Sequence, residues 1–355
     1  ILEVQIWPKQ KPGQDLSDPK SIADILEMTV SDAIRFFAGH PDILRGLAPL
    51  RAVGLDYLRL GQPVPTLSGG EAQRLKLAGH LAKARVGRGE TGPALFLFDE
   101  PTTGLHFHDI SKLLSAFREL IAQGHSVAVI EHNLDVIRAA DWIIDLGPEG
   151  GEAGGQLVFE GSPRRIIRSR RSRTGAALAG EKGGIKEGKK VFGKTSGGKP
   201  VSFPAEKHEI RIHNAREHNL KNVDIRIPRD RFTVITGISG SGKSTVAFDI
   251  LFGEGQRRSL ESLNAYARQF VQPASRPDVD SISGIPPTVA IEQRTSRGGR
   301  KSTVATMTEI YHFLRLLFLK LGTQHCPDCN IPIDQQKTEA VLARITRDYR
   351  GKRIR

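Results

Sequence analysis

A glycine-rich loop constrains this chain more than any other feature. The pattern G-x-x-x-x-G-K-S begins at Gly237, directly after the apolar run 232–236. A buried strand, such a loop and a following helix bind nucleoside triphosphates, because glycines let backbone N–H groups crowd the phosphates. The lysine then reaches the β and γ oxygens, and the serine hydroxyl binds magnesium. The predicted nucleotide ligands are Gly237, Ser239, Gly240, Ser241, Gly242, Lys243, Ser244 and Thr245.

Three candidate catalytic side chains lie upstream of this loop, at the ends of two apolar runs. Residues 94–98 lead into a carboxylate pair, and residues 126–130 end one position before a Glu-His pair. Helical periodicity between the runs predicts strand, helix and strand, which is a right-handed crossover in a parallel sheet. At the carboxyl edge of such a sheet, carboxylates hold magnesium and activate water. We therefore predict catalytic roles for Asp99, Glu100 and His132.

The turn that begins Leu-Ser-Gly-Gly predicts the start of a helix. Ser68 and Glu71 have the S-x-x-E spacing of a capping box, and apolar residues follow at helical spacing. The N-terminus of a helix offers free N–H groups and a positive dipole end, which together attract anions. An ordinary capped helix is the alternative interpretation, but the carboxylate pair downstream favours a nucleotide contact. The residues predicted for this signature turn are Leu67, Ser68, Gly69, Gly70, Glu71 and Gln73.

The net charge of +13 is concentrated in one segment. Twelve basic and two acidic residues lie between Arg164 and Lys199. Because this segment is rich in Gly, Ser and Lys and lacks periodicity, it predicts a flexible linker. A solvated tether and a salt-sensitive contact with DNA phosphates are the two interpretations that its charge allows.

Further candidate ligands lie in the last third of the chain. The run 289–293 predicts a strand whose final residue, Gln293, either joins Ser244 and Asp99 in holding magnesium or holds the attacking water. Several basic side chains are predicted to contact DNA: Arg257, Arg258, Arg268, Arg297, Arg300 and Lys301. For the last three of these, mere solvation is the alternative interpretation. Cys326 and Cys329 form half of a zinc module. Two thiolates cannot complete a tetrahedral site, so we predict zinc only in an intact, longer protein.

Other global features predict a soluble, cytoplasmic piece of a longer protein with no membrane partner. The sequence has no charged-then-apolar leader, and no apolar run approaches the roughly 20 residues of a membrane helix. The presence of only two cysteines fits a reducing compartment.

Longer motifs resemble the UvrA family of DNA-damage-recognition ATPases, which use the ATP-binding-cassette (ABC) fold. These motifs are Leu58-Arg-Leu-Gly-Gln-Pro63 before the signature turn, Glu131-His-Asn-Leu-Asp135 followed by 140–148, and Glu254-Gly-Gln-Arg-Arg258 followed by 265–270. The resemblance covers nearly everything outside the linker. It implies ATP and Mg²⁺ as cofactors. It also implies damaged double-stranded DNA, UvrB and a second UvrA-type chain as partners.

The resemblance also implies roles for individual residues. Asp99 would hold magnesium, Glu100 would act as general base for the attacking water, and His132 would sense the γ-phosphate. Ser68 and Gly70 would face a nucleotide held by another cassette, so the isolated chain should hydrolyse ATP weakly.

The order of the motifs is inverted relative to one cassette. Residues 20–165 resemble the end of the family's second cassette, whereas residues 207–336 resemble the start of its first. The simplest account is the junction of two UvrA units fused in tandem, and a circular permutation is the alternative. In the fused account Glu100 and Lys243 belong to different cassettes, which leaves open whether they serve one nucleotide.

The predicted fold class is α/β, with two ABC-type ATPase halves joined by the basic linker. A parallel sheet with flanking helices and a small antiparallel portion makes up these halves. The predicted divisions are an edge-strand remnant (1–20), the C-terminal half (21–163), the linker (164–206), the N-terminal half (207–323) and the start of a truncated inserted domain (324–355). Three functions stay open: a DNA-damage sensor that loads UvrB, a UvrA-like antibiotic-resistance ATPase and a non-catalytic junction piece.

Overall fold

The computed structural model describes residues 4–6, 19–86, 92–180, 208–261, 275–292, 302–326, 328–329, 331–333 and 338–350. The chain divides into two compact units. The first unit comprises Ile1–Ala48, Asp56–Pro63 and Arg300–Arg355, and the second comprises Pro49–Leu55 and Val64–Gly299.

The strands are β1 (Gln5–Ile6), β2 (Lys20–Ser21), β3 (Leu95–Asp99), β4 (Ser126–Ile130), β5 (Trp142–Gly147), β6 (Gln156–Gly161), β7 (Glu209–Ala215), β8 (Val223–Pro228), β9 (Phe232–Gly237), β10 (Ser281–Ser283), β11 (Thr288–Ile291), β12 (Gln324–His325) and β13 (Pro332–Ile333). The helices are α1 (Ile22–Glu27), α2 (Val30–Phe36), α3 (Pro41–Ala52), α4 (Gly69–Val86), α5 (Phe107–Ala122), α6 (Leu134–Ala139), α7 (Pro163–Ile166), α8 (Arg173–Gly180), α9 (Gly253–Glu261), α10 (Val304–Met307), α11 (Ile310–Leu321) and α12 (Thr338–Asp348). A π-helical segment, Thr245–Phe252, precedes α9.

A six-stranded sheet forms the centre of the second unit, in the order β11-β3-β4-β9-β5-β6. The first five strands are parallel, and β6 pairs antiparallel with β5. β4 and β9 are buried along their whole length, as expected of continuous apolar runs in a parallel sheet. The predicted fold class is confirmed.

A smaller antiparallel sheet, in the order β10-β7-β8, packs against this core. Buried and exposed residues alternate along β8, with Val223, Ile225 and Ile227 inward. These side chains share one apolar cluster with the main sheet and with the π-helical segment. Because every second residue of β8 is apolar, this sheet buries one face and exposes the other.

The structure differs from the sequence prediction over residues 164–180, which were assigned to the flexible linker. This stretch contains part of α7 and all of α8. Ile166, Ser172 and Leu178 are buried, so the segment is anchored by its few inward-facing residues. These few apolar and small residues are scattered among six arginines, so the sequence shows no helical period here. Residues 181–207, which hold the rest of the predicted linker, lie outside the described residues.

The first unit holds shorter elements. β1 and β2 pair antiparallel, and the Thr29 hydroxyl caps α2 by accepting a hydrogen bond from the backbone of Asp32. In α11, Ile310, Leu314 and Phe318 are buried, whereas Phe313 and Leu321 are exposed. Among all described helices of the chain, none is long and apolar enough to cross a membrane.

Candidate functional site

The glycine-rich loop lies at the carboxyl end of β9, in the centre of the main sheet. Lys243 folds back over the loop, where its Nζ donates hydrogen bonds to the carbonyl oxygens of Gly237 (3.0 Å) and Ile238 (2.8 Å). Gly237 has φ +136°, and a Cβ there would lie 2.1 Å from a backbone oxygen of β5. Glycine is therefore required at this position by both backbone conformation and space.

The carboxylate pair lies at the same edge of the sheet. β4 lies between β3 and β9, and its parallel register places Ile130 opposite both Asp99 and Ile235. The ends of β3 and β9 consequently point the same way, one strand apart. The two halves of the chain, separated in sequence by the basic segment, thus place Glu100 and Lys243 at one site.

Electrostatics connect the lysine to this edge. Burial lowers the pKa of Lys243 below that of an ordinary lysine, while the negative charges of Glu100, Asp99 and Asp145 act in the opposite direction. The lysine therefore lies within the field of three carboxylates. A cation in this position attracts the phosphate oxygens that a triphosphate would bring.

His132 and Glu100 face each other across the ends of β4 and β3. The His132 Nε2 lies 3.5 Å from the Glu100 Oε1, and both side chains are about half exposed. Glu100 has φ +42°, a conformation that is uncommon outside glycine and that concentrates at functional sites. The predicted catalytic residues are thus brought together.

Glu131 was not among the predicted site residues, yet it fixes the geometry of the catalytic pair. Its buried carboxylate accepts hydrogen bonds from the Thr102 backbone (2.9 Å) and hydroxyl, and from the backbone N–H groups of His132 (2.9 Å) and Asn133 (3.1 Å). One side chain therefore links the turn after Glu100 to the turn that carries His132. The available sequence signal was a carboxylate directly after a run of apolar strand residues.

Asp145 is a second site residue that no sequence motif indicated. It is buried on β5 beside Thr236, and it accepts hydrogen bonds from the hydroxyls of Ser172 (2.5 Å) and Thr174 (3.2 Å). Burial raises the pKa of Asp145, and these hydrogen bonds and the charge of Lys243 oppose that rise. Asp145 thus joins the start of α8 to the strand that leads into the glycine-rich loop.

The signature turn forms the helix start that its sequence predicts. The Ser68 N–H and hydroxyl both donate to the Glu71 carboxylate (2.7 and 2.8 Å), and the Glu71 N–H donates back to the Ser68 hydroxyl (3.3 Å). Gly70 lies near the turn after the carboxylate pair, since a Cβ there would be 3.5 Å from the carbonyl oxygen of Thr103. Leu67 is buried and Ser68 is exposed.

Gln73 has a different position from the rest of the predicted signature. It is buried, and its Nε2 donates to the backbone oxygens of Asp99 (3.2 Å) and Ile291 (2.8 Å). Gln73 therefore holds the ends of β3 and β11 together inside this chain. A contact with the nucleotide of another cassette does not fit this position.

Magnesium would find suitable donors at this edge. Asp99 supplies a carboxylate, and Ser244 supplies an exposed hydroxyl at the start of the π-helical segment. No group of three His, Cys, Asp or Glu side chains among the described residues could hold a metal ion. A magnesium–triphosphate site needs only one or two carboxylates, because phosphates and water supply the other ligands. The residues present therefore fit magnesium, and Gln293 lies outside the described part of the chain.

Arg257 and Arg258, predicted to contact DNA, make ion pairs within the second unit. Both donate to the buried carboxylate of Glu254 at 2.7–2.8 Å, and Arg258 also donates to the carbonyl oxygen of Ile282 (2.6 Å). These bonds favour a structural role in place of the predicted DNA contact. Arg268, Arg297, Arg300 and Lys301 lie outside the described residues.

The two cysteines lie in the first unit. Cys326 is half-buried directly after β12, and Cys329 is exposed. A backbone hydrogen bond from Cys326 to Ile331 (2.9 Å) closes the turn between β12 and β13. The prediction of zinc in an intact protein stays a prediction.

The chain is similar in sequence to known proteins. No family model matches the chain. The UvrABC system protein A of Chlamydia trachomatis is 41% identical over 309 residues, which are 87% of this chain and 17% of that protein. The protein of the same name from Aquifex aeolicus is 58% identical over 159 residues, 45% of this chain and 17% of that protein. The chain belongs to the UvrA family.

A solved structure of UvrA2 from Deinococcus radiodurans is also similar, with 30% identity over 74% of this chain and 31% of that one and a TM-score of 0.41. The chain spans less than one fifth of the length of the two UvrA-family proteins just described. From the aligned shares, the Chlamydia trachomatis protein is about 1,800 residues long. The Aquifex aeolicus protein is about 940 residues long, roughly half that length.

Proposed function

We propose that this chain is the nucleotide-binding segment of a UvrA-type repair ATPase. It would hydrolyse ATP with magnesium, bind damaged double-stranded DNA and load UvrB. One observation carries the ATPase proposal: the phosphate loop, the carboxylate pair and His132 meet at one edge of one sheet. Membership of the UvrA family supports the DNA and UvrB parts of the proposal.

Each residue has a defined task in this proposal. Lys243 binds phosphate oxygens, and Glu100 accepts a proton from the attacking water. His132 contacts the γ-phosphate and holds Glu100 in place. Magnesium, held by Ser244 and Asp99, supplies charge neutralisation when it is bound.

We also propose that turnover needs two nucleotide units. The exposed Ser68 at the start of α4 would contact the nucleotide of a second cassette, which is a UvrA-type dimer arrangement. Turnover per chain should then rise with protein concentration, because the active species is assembled from two copies.

The inverted motif order supports a tandem fusion. The Chlamydia trachomatis protein matches 87% of this chain and is about twice as long as the Aquifex aeolicus protein. We propose that the chain spans the junction between two fused UvrA units, whose halves fold together here.

The test is magnesium-ATP binding and turnover by the full chain. Lys243→Ala should abolish binding, whereas Glu100→Gln should retain binding and lower turnover by about 100-fold or more, as expected for loss of a general base. Lys320→Ala and Glu152→Gln are matched controls at exposed positions. Turnover that survives both site changes would refute the proposed site.

Two further results would redirect the proposal. ATP binding without turnover at any protein concentration would favour a non-catalytic junction piece. ATP turnover together with equal affinity for lesion-bearing and undamaged duplex would favour the antibiotic-resistance type of UvrA-like ATPase.

A further inference from the structure

The segment 164–173 carries six arginines and no acidic residue. All six side chains are exposed on α7, the turn after it and the first residue of α8. We call this set the arginine surface: Arg164, Arg165, Arg168, Arg170, Arg171 and Arg173. Because the segment is folded, these charges occupy a fixed surface.

Internal ion pairs neutralise little of this charge. Within the described part of the chain, Arg173 alone of the six forms an ion pair, with Glu149. This contrasts with Arg257 and Arg258, whose guanidinium groups share the carboxylate of Glu254. The arginine surface is therefore available to an external anion.

Buried hydrogen bonds fix the arginine surface beside the nucleotide site. Ser172 and Thr174, which flank Arg173, donate to Asp145, and the Thr174 hydroxyl lies 3.4 Å from that of Thr236 on β9. Arg171 and Arg173 also line a cavity of about 210 Å³ that reaches His132 and Gly237. A ligand on this surface would lie close to the phosphate loop.

We propose that the arginine surface binds the sugar-phosphate backbone of double-stranded nucleic acid. Duplex DNA carries one negative charge per about 1.7 Å of its axis, so it can meet several guanidinium groups at once. Protein interfaces also use arginine, but they place it around an apolar centre rich in aromatic and Met side chains. The arginine surface contains one exposed large apolar side chain, Ile167, which favours the polyanion. This inference rests on the proposed function and assigns one of its DNA contacts.

The experiment measures binding of the full chain to a labelled, undamaged duplex by fluorescence anisotropy between about 50 and 200 mM salt. The test variant combines Arg164→Gln, Arg165→Gln and Arg168→Gln. Its matched control combines Arg35→Gln, Arg45→Gln and Arg59→Gln, which removes the same charge from exposed positions of the first unit. ATP binding by each variant reports whether the phosphate loop is intact.

The test variant should bind the duplex at least about tenfold more weakly. Its slope of log affinity against log salt should be about 2 to 3 units smaller, since each lost phosphate contact removes about 0.9. The control should retain both values. Equal weakening in the control, or unchanged binding by the test variant, would overturn the proposal; retained ATP binding would show that the proposed ATPase site still stands. Equally tight, arginine-dependent binding of polyglutamate would assign the surface to an acidic protein.

Discussion

Replacement of Glu131 by glutamine should uncouple the two turns that carry the catalytic pair. The carboxylate of Glu131 accepts four hydrogen bonds, two from Thr102 and one each from His132 and Asn133. Glutamine keeps the size of the side chain but replaces one of the two acceptor oxygens by an NH₂ group. If the NH₂ group faces Thr102, the Thr102 hydroxyl can turn to accept from it, so at least one backbone N–H is left facing another donor.

The magnitude follows from these contacts. Hydrogen bonds to a charged group contribute about 1.5–3 kcal/mol each, so the loss of at least one lowers the free energy of unfolding by about 1.5 kcal/mol or more. Glu131→Ala removes all four acceptor contacts and should be more destabilising. Since no partner of Glu131 lies in the phosphate loop, kcat should fall while KM for ATP changes little.

Urea unfolding measures the first effect, and steady-state turnover at a temperature where the variant is folded measures the second. Glu152→Gln, at an exposed position, serves as the control. Loss of less than about 0.5 kcal/mol together with unchanged kcat would show that other contacts hold these turns. A rise in KM at constant kcat would show that Glu131 acts on nucleotide binding instead.

Three further predictions follow from close contacts and buried charges. Gly237→Ala should lower the free energy of unfolding by about 3 kcal/mol or more in urea, because its methyl group would lie 2.1 Å from the Leu146 carbonyl oxygen. Gly104→Ala, whose methyl group would enter open space, should lower it by about 1 kcal/mol. Equal losses would contradict this reasoning. Burial raises the pKa of Asp145, so the folded state binds its proton up to a higher pH than the unfolded state does. The wild type therefore loses stability as pH rises through the raised pKa. Asp145→Asn should remove this decline from unfolding measured as a function of pH, and an unchanged decline would exclude Asp145 as its source. Glu254→Ala should cost about 1–3 kcal/mol in urea unfolding, because two arginines lose charged hydrogen bonds to it while Arg257 keeps Glu261 and Arg258 keeps the Ile282 carbonyl, and a change below that of Glu152→Ala would refute the arrangement.

Local patterns in the sequence predicted the elements that carry the site. Continuous apolar runs predicted β3, β4 and β9, because a strand that is buried on both faces has no alternation of apolar and polar residues. The spacing of Ser68 and Glu71 predicted the capped start of α4, because a capping box consists of reciprocal hydrogen bonds between two residues three positions apart. These features depend on adjacent residues, so the sequence by itself determines them.

Only the tertiary structure decided how the elements meet. It placed β4 between β3 and β9, which brought Glu100 and Lys243 to one edge although the sequence left that question open. It also gave Glu131 and Asp145 their partners, and it ordered the start of the basic segment. Periodicity shows which face of an element is buried. The partner on that face depends on burial and hydrogen bonding summed over distant parts of the chain.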